Sequence, residues 1–232
     1  MNLGIPSYLG SFTELLVDHL AMALGASLLG LVVALPLGLL CVRRPQWYPP
    51  VLAGASVLYS IPSLAFFVLL IAFTGISRTT VVIPLAVYTL AVLIPNVVDG
   101  LRAVPESVRQ SATAMGYSET RRLLTVDLPI ALPTVLAGLR VATVANISMV
   151  SVGALIGMGA FGSLFTAAVQ LDRLGLAITG IVVTVVMALV VDAALLGVQW
   201  LATPWLRRTR TQGRTRTQGR TRTQGRTRRS AR

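Results

Sequence analysis

The chain has 232 residues, of which 54% are hydrophobic and 12% charged. Soluble domains carry about 25% charged residues, so an ordinary soluble fold is excluded, and apolar runs that are continuous rather than alternating exclude a β-barrel. The net charge of +12 belongs to the tail: all 20 basic residues are Arg, eleven of them in residues 207–232, and the other nine face eight acids, leaving +1 over residues 1–206.

The expected fold class is therefore all-α, a polytopic membrane helical bundle. A helix needs about 20 apolar residues to cross a hydrocarbon core about 30 Å thick. One Cys and one His argue against an internal disulfide or a Cys/His metal site, and Cys41 reads as a small buried apolar residue. Met1–Leu20 carries Glu14, Asp18 and His19 but no Arg, so no cleavable signal peptide is expected and the first span should direct insertion itself.

Five spans are predicted. They run over Leu20–Val42, Val51–Phe73, Thr79–Pro95 (short, ending on Pro), Thr134–Ile156 and Leu176–Leu201. An amphipathic segment at Tyr8–Val17 would make a sixth element, and it is expected to lie on the membrane surface. Arg43 and Arg44 follow the first span, Arg102, Arg109, Arg121 and Arg122 follow the third, and Arg207 with the tail follows the fifth. Five spans put these groups on one side, the cytoplasm, with the N-terminus outside and the C-terminus inside. Glycines crowd Gly153–Gly162, which reads either as a tight turn out of the membrane or as a close approach of helices. Residues 207–232 repeat RTRTQG and lack any large apolar residue, so they are expected to be a disordered tail. The tail reads first as a low-complexity extension made soluble by charge; the functional alternative is attachment to anionic lipid head groups, and nucleic acid is less favoured, since no aromatic residues are interleaved to stack on bases.

The most informative segment is polar, Glu106–Pro133, within a cytoplasmic loop of about residues 96–133. Pro105 suits a first helical position and Glu106 the first turn. Val108, Ala112 and Met115 form an apolar stripe, opposite Glu106, Arg109, Gln110 and Thr113. Gly116 suits the stop of this helix and Ser118 the cap of a second, which should end near Pro129. Such a short amphipathic helix can pack on its own bundle or dock into a groove on a soluble partner.

The segment resembles the coupling loop of bacterial ABC importer permeases, E-A-A, three residues, Gly, nine residues, I-x-L-P. Gln110-Ser111-Ala112 stands at E-A-A, Gly116 follows after three residues, and Val126-Asp127-Leu128-Pro129 after nine more. Gln110 keeps the length of the family's Glu but not its charge, and Glu106 offers a carboxylate one turn earlier. Ile61-Pro62-Ser63-Leu64-Ala65, Pro95-Asn96, Gly100-Leu101, Gly138-Leu139-Arg140 and Ala154–Gly162 are similar to the permeases for glycine betaine, carnitine and choline, although Met158 and Ala160-Phe161 depart from that pattern. The resemblance covers about residues 10–200. It implies a type I ABC importer (MetI-like) transmembrane domain in the plasma membrane of a bacterium. It also implies a second permease (homodimer or sister subunit), two cytoplasmic ABC ATPases on the loops, and an extracellular or periplasmic substrate-binding protein. The expected cargo is a compatible solute, most directly a quaternary ammonium compound. The chain has no phosphate-binding loop, so ATP is expected on the partner, and no cofactor or enzymatic activity on this chain.

The loop residues expected to couple to an ATPase are Glu106, Gln110, Ser111, Ala112, Gly116, Leu128 and Pro129. Pro62, Asn146 and Asp192 are candidates for gating or the solute pathway. Asp192 could attract a cationic solute, or simply bond to neighbours inside the bundle. Asn146 and Gln170 could face the pathway or hold helices together, while Arg140 is expected to snorkel to the interface. Pro36, Pro62 and Pro84 interrupt spans, with Pro62 singled out for gating. Trp47, Tyr48, Trp200 and Trp205 read as interface anchors, and no aromatic cage is expected within the spans. Competing readings are an importer of amino acids or another small solute, a secondary transporter, and a membrane scaffold displaying the tail. The absence of an internal repeat of spans argues against the secondary transporter.

Overall fold

The computed structural model describes residues 11–205, and the expectations for Tyr8–Gly10 and for residues 207–232 lie outside them. Helix α1, Phe12–Arg43, opens on a capping box: the Glu14 amide donates to Ser11 Oγ at 3.3 Å and the Ser11 amide to Glu14 Oε2 at 2.8 Å. Phe12–Val17 is thus the first part of the first span and not a separate surface segment. The cap bonds satisfy the free amides of a helix start, so the apolar pattern runs on without a break.

The second predicted span is two helices, α2 (Tyr48–Ser60, entered through a 3₁₀ turn at Pro45–Trp47) and α3 (Ser63–Thr74), bent by 92°. Pro62 forces the break. Ile61 before it is extended (φ −66°, ψ 128°), as pre-proline residues prefer, and the Pro62 carbonyl then accepts from the Phe66 amide at 3.0 Å. Tyr88 Oη donates to the Ile61 carbonyl at 2.7 Å, satisfying a group freed by the break. Tyr59 and Phe66 rings lie 5.6 and 5.9 Å from the Tyr88 ring. Three aromatic rings, Tyr59, Phe66 and Tyr88, therefore meet at the α2–α3 break.

Helix α4 covers Arg78–Arg102, well beyond the predicted Thr79–Pro95. Pro84 and Pro95 lie inside it. The Asn96 side chain behind Pro95 bonds back to the Val92 carbonyl at 2.8 Å. The loop helices are α5 (Glu106–Ala114) and α6 (Glu119–Arg122). Helix α6 does not end near Pro129. It passes through a π turn at Leu123–Asp127 into α7 (Leu128–Val150) and a closing 3₁₀ turn, giving one run Glu119–Ile156 of 38 residues. In the π turn the Leu128 amide bonds to Leu123 O, one residue further back than in an α-helix. That extra residue absorbs Pro129, which cannot donate. Helix α8 (Ser163–Gln170) and α9 (Leu174–Ala202) complete the described chain.

Among the described residues four helices are long and apolar enough to cross a membrane, and α2–α3 makes a fifth if counted as one bent span. The core lies where α1, α4 and α7 cross. Backbones approach at glycine: a Cβ on Gly38 would lie 2.4 Å from Val97 Cγ1, and one on Gly138 would lie 2.5 Å from Asn96 Cγ. Met22, Leu85, Ile147 and Phe161 fill one end of the bundle, and Ala34, Leu93, Val98 and Leu139 the other. Gly153–Gly162 turns the chain back on itself. A Cβ on Gly159 would fall 2.1 Å from Ala154 N, so both a turn and a close approach are present.

Candidate functional site

The loop helix α5 is stopped by a Schellman arrangement. The Tyr117 amide bonds to Ala112 O at 3.1 Å and the Gly116 amide to Thr113 O at 2.9 Å, with Gly116 at φ +81°. Ser118 Oγ then accepts from the Arg121 amide at 3.4 Å and starts α6. Pro105 is the cap residue of α5 and Glu106 the first helical one.

Ala112 faces the bundle at 2% exposure, with Val108 half-buried, but Met115 is 68% exposed and does not complete the expected stripe. Met115 is the C-terminal cap residue of α5 and leaves helical geometry there, off the line of Val108 and Ala112. Arg109 is not on the solvent face either. Its Nη2 donates to the Leu101 carbonyl at 2.6 Å, and its Nε lies 3.8 Å from Asp127 Oδ1. Arg122 Nε lies 3.6 Å from Asp127 Oδ2, and Arg122 Nη1 donates to Thr113 Oγ1 at 3.3 Å. One buried carboxylate on the π turn thus holds the end of α4, α5 and α6 together. The cluster borders a cavity of about 200 Å³ that Arg43 and Glu119 also line.

The outer face of α5 is polar. Glu106, Gln110, Thr113 and Ala114 line a hollow of about 500 Å³ with Arg109 and Arg122. Ser111 is exposed and its hydroxyl is spent on the Ser107 carbonyl at 2.8 Å. Leu128 and Pro129 are half-buried at the start of α7, away from that hollow. Glu106 and Gln110, one turn apart, share one surface, as the sequence places them.

The three pathway candidates separate. Pro62 sits at the α2–α3 break. Asn146 is 2% exposed, and its Nδ2 donates to Ser27 Oγ and Thr89 Oγ1, both at 2.9 Å, linking α7 to α1 and α4. Asp192 forms a bidentate pair with Arg140, Nε to Oδ1 at 2.9 Å and Nη2 to Oδ2 at 2.7 Å. Arg140 lies near the middle of α7 and does not snorkel, because a carboxylate on α9 meets it there. Gln170, the other polar candidate, is exposed at the end of α8.

The sequence placed Arg109 on a polar helix face and Arg140 at the interface, and it gave no sign that Arg109 and Arg122 pair with Asp127 or Arg140 with Asp192. Arg122 and Asp127 are five apart, a spacing that faces one side only in a π turn, so no α-helical pattern could pair them.

Residues 19–208 match the family described as binding-protein-dependent transport system inner membrane component. The chain belongs to that family. The permease is 31% identical over 163 residues to a carnitine transport permease protein of Listeria monocytogenes, covering 70% of this chain and 75% of that one. It is 32% identical over 178 residues to an osmoprotectant import permease protein of Salmonella typhimurium, covering 75% and 81%. With a choline transport system permease protein of Bacillus subtilis it shares 26% over 154 residues, 66% and 71% of the two chains. Its fold is that of permease chains in inward-facing structures of the MetNI methionine ABC transporter. One aligns with a TM-score of 0.70, 23% identity and 82% and 95% coverage, and another with 0.72, 24% and 85% and 97%. It is an ABC importer permease with the type I fold.

Proposed function

We propose that this permease carries a quaternary ammonium compatible solute (glycine betaine, carnitine or choline) across the bacterial plasma membrane, driven by ATP hydrolysis on a partner. The observation that carries the reading is the loop. A helix stopped at Gly116 and tied through Asp127 to α7 sits in a chain about a third identical to carnitine and osmoprotectant permeases.

In this reading two ATPases dock on the hollow lined by Glu106 and Gln110, one per permease of a homodimer or sister pair, and a binding protein delivers solute from outside. Glu106 supplies the carboxylate that Gln110 lacks. Arg43, Arg109 and Arg122 line one cavity, which supports a single cytoplasmic end for the loop and the end of α1. In this reading the Asp18–Arg78 pair, 2.5 Å, lies at the outer end, with the N-terminus outside and the C-terminus inside. The permease itself neither binds nor hydrolyses ATP.

The test is uptake of labelled glycine betaine and choline by vesicles holding the chain with its ATPase and binding protein, with and without internal ATP. ATP-dependent uptake is expected. Uptake without ATP would indicate a secondary transporter, and uptake of neither solute would remove the cargo assignment.

A further inference from the structure

The Arg140–Asp192 pair lies in a groove of about 660 Å³ between α7 and α9, a size typical of small-molecule sites. Two facing rows line it. Arg140, Val144 and Ser148 recur at four-residue intervals on α7, and Thr184, Ala188 and Asp192 on α9, so each row keeps one helix face. Thr184 Oγ1 is buried there without a hydrogen-bond partner.

The pair is deep. Asp192 precedes the end of α9 at Ala202 by ten residues, about 15 Å at the rise of an α-helix. Arg140 stands twelve residues into α7, about 18 Å. Yet the side chains are 24% and 34% exposed to the groove. A charge facing lipid tails costs at least about 2.5 kcal/mol at mid-bilayer, so this groove faces water or protein.

We propose that the groove is a transit site for a small zwitterion, the solute carboxylate replacing Asp192 on Arg140 and the solute ammonium replacing Arg140 at Asp192. This deepens the cargo assignment above and rests on it. The exchange breaks a bidentate hydrogen-bonded pair and puts a quaternary ammonium, which has no N–H to donate, against Asp192, so occupancy is weak, which suits a site that must release. A zwitterion leaves neither protein charge unpaired. A cation such as choline satisfies Asp192 and strands Arg140, and an uncharged solute strands both. The lining contains no aromatic ring, so charge and not cation–π contact orders these solutes.

The test is the ratio of glycine betaine to choline uptake, measured in the same vesicles with the complete transporter and saturating binding protein. Because it is a ratio, loss of folded complex cancels. Arg140→Gln is expected to lower it about tenfold, while Arg140→Lys keeps it within about twofold of the starting value. Asp192→Asn is expected to depress both solutes. An unchanged ratio in Arg140→Gln overturns the site and leaves a structural pair. Uptake of neither solute by the unaltered transporter overturns the cargo assignment first, and the site with it.

Discussion

Asp127 on the π turn and Arg109 on α5 face each other at 3.8 Å, with the Asp127 side chain only 8% exposed. Arg109 in turn holds the carbonyl of Leu101, the next-to-last residue of α4. A push on α5 therefore meets α4 and α7 together, through one side chain, instead of dissipating in a loose loop. The extra residue of the π turn is what brings Asp127 to this position.

Asp127→Ala leaves two part-buried guanidinium groups without a counter-charge. Removing one partner of a buried ion pair costs up to about 3–5 kcal/mol, and less here because both guanidinium groups are partly solvated. The expected result is a complex that inserts and hydrolyses ATP but imports solute at least about tenfold more slowly, a barrier increase of about 1.4 kcal/mol. Parallel measurement of ATP hydrolysis and uptake checks it. Equal loss of both activities would place Asp127 outside coupling.

Gly116 separates backbone strain from docking. Its φ of +81° costs any other residue about 1–2 kcal/mol, yet among the described residues nothing beyond its chain neighbours lies within 4 Å of a Cβ there. Gly116→Ala should show the backbone cost alone. Gly116→Trp should insert equally well and lose more uptake, because the added ring meets only a docked partner. Matching uptake in the two variants would show that no partner approaches this turn.

Gly38→Val tests the crossing of α1 and α4. The added side chain starts 2.4 Å from Val97 Cγ1, and overpacking of this kind costs about 1–3 kcal/mol. A lower thermal midpoint in detergent is expected, and Val97→Ala combined with it should recover part of the loss. No recovery would mean that the strain lies elsewhere.

Asn146→Ala removes two interhelical hydrogen bonds. Ser27 Oγ still donates to Ala23 O and Thr89 Oγ1 to Leu85 O, each at 2.8 Å, so no hydroxyl is orphaned. The expected cost is small, about 0.6–1.7 kcal/mol, read as a modest fall in thermal midpoint. Uptake per folded complex should stay near normal. A collapse of uptake with unchanged stability would make Asn146 a pathway residue.

Apolar run length and the placement of Arg were enough to read the class of this chain and the existence of its spans. The stop at Gly116, the cap at Ser118 and the shared face of Glu106 and Gln110 were legible too, since each depends on neighbours within about one helical turn. What stayed hidden involved partners distant in sequence or an unexpected turn. Pro62 was marked as a bend, but 92° needs the Ile61 carbonyl to find Tyr88 on another helix. Pro129 looked like a stop, and a π turn made it an interior residue. Arg140 looked like a snorkelling cation until Asp192, 52 residues later, met it.

The sequence by itself determined that this is a membrane helical bundle with a helical loop between spans, because hydrophobic length, glycine at positive φ and side-chain caps are local properties. Only the tertiary structure decided which charges pair, where helices break or continue, and which groove holds the one deep ion pair among the described residues. Those outcomes depend on the groups that packing brings opposite one another, and a buried charge or freed carbonyl is stabilised only by a partner that actually arrives.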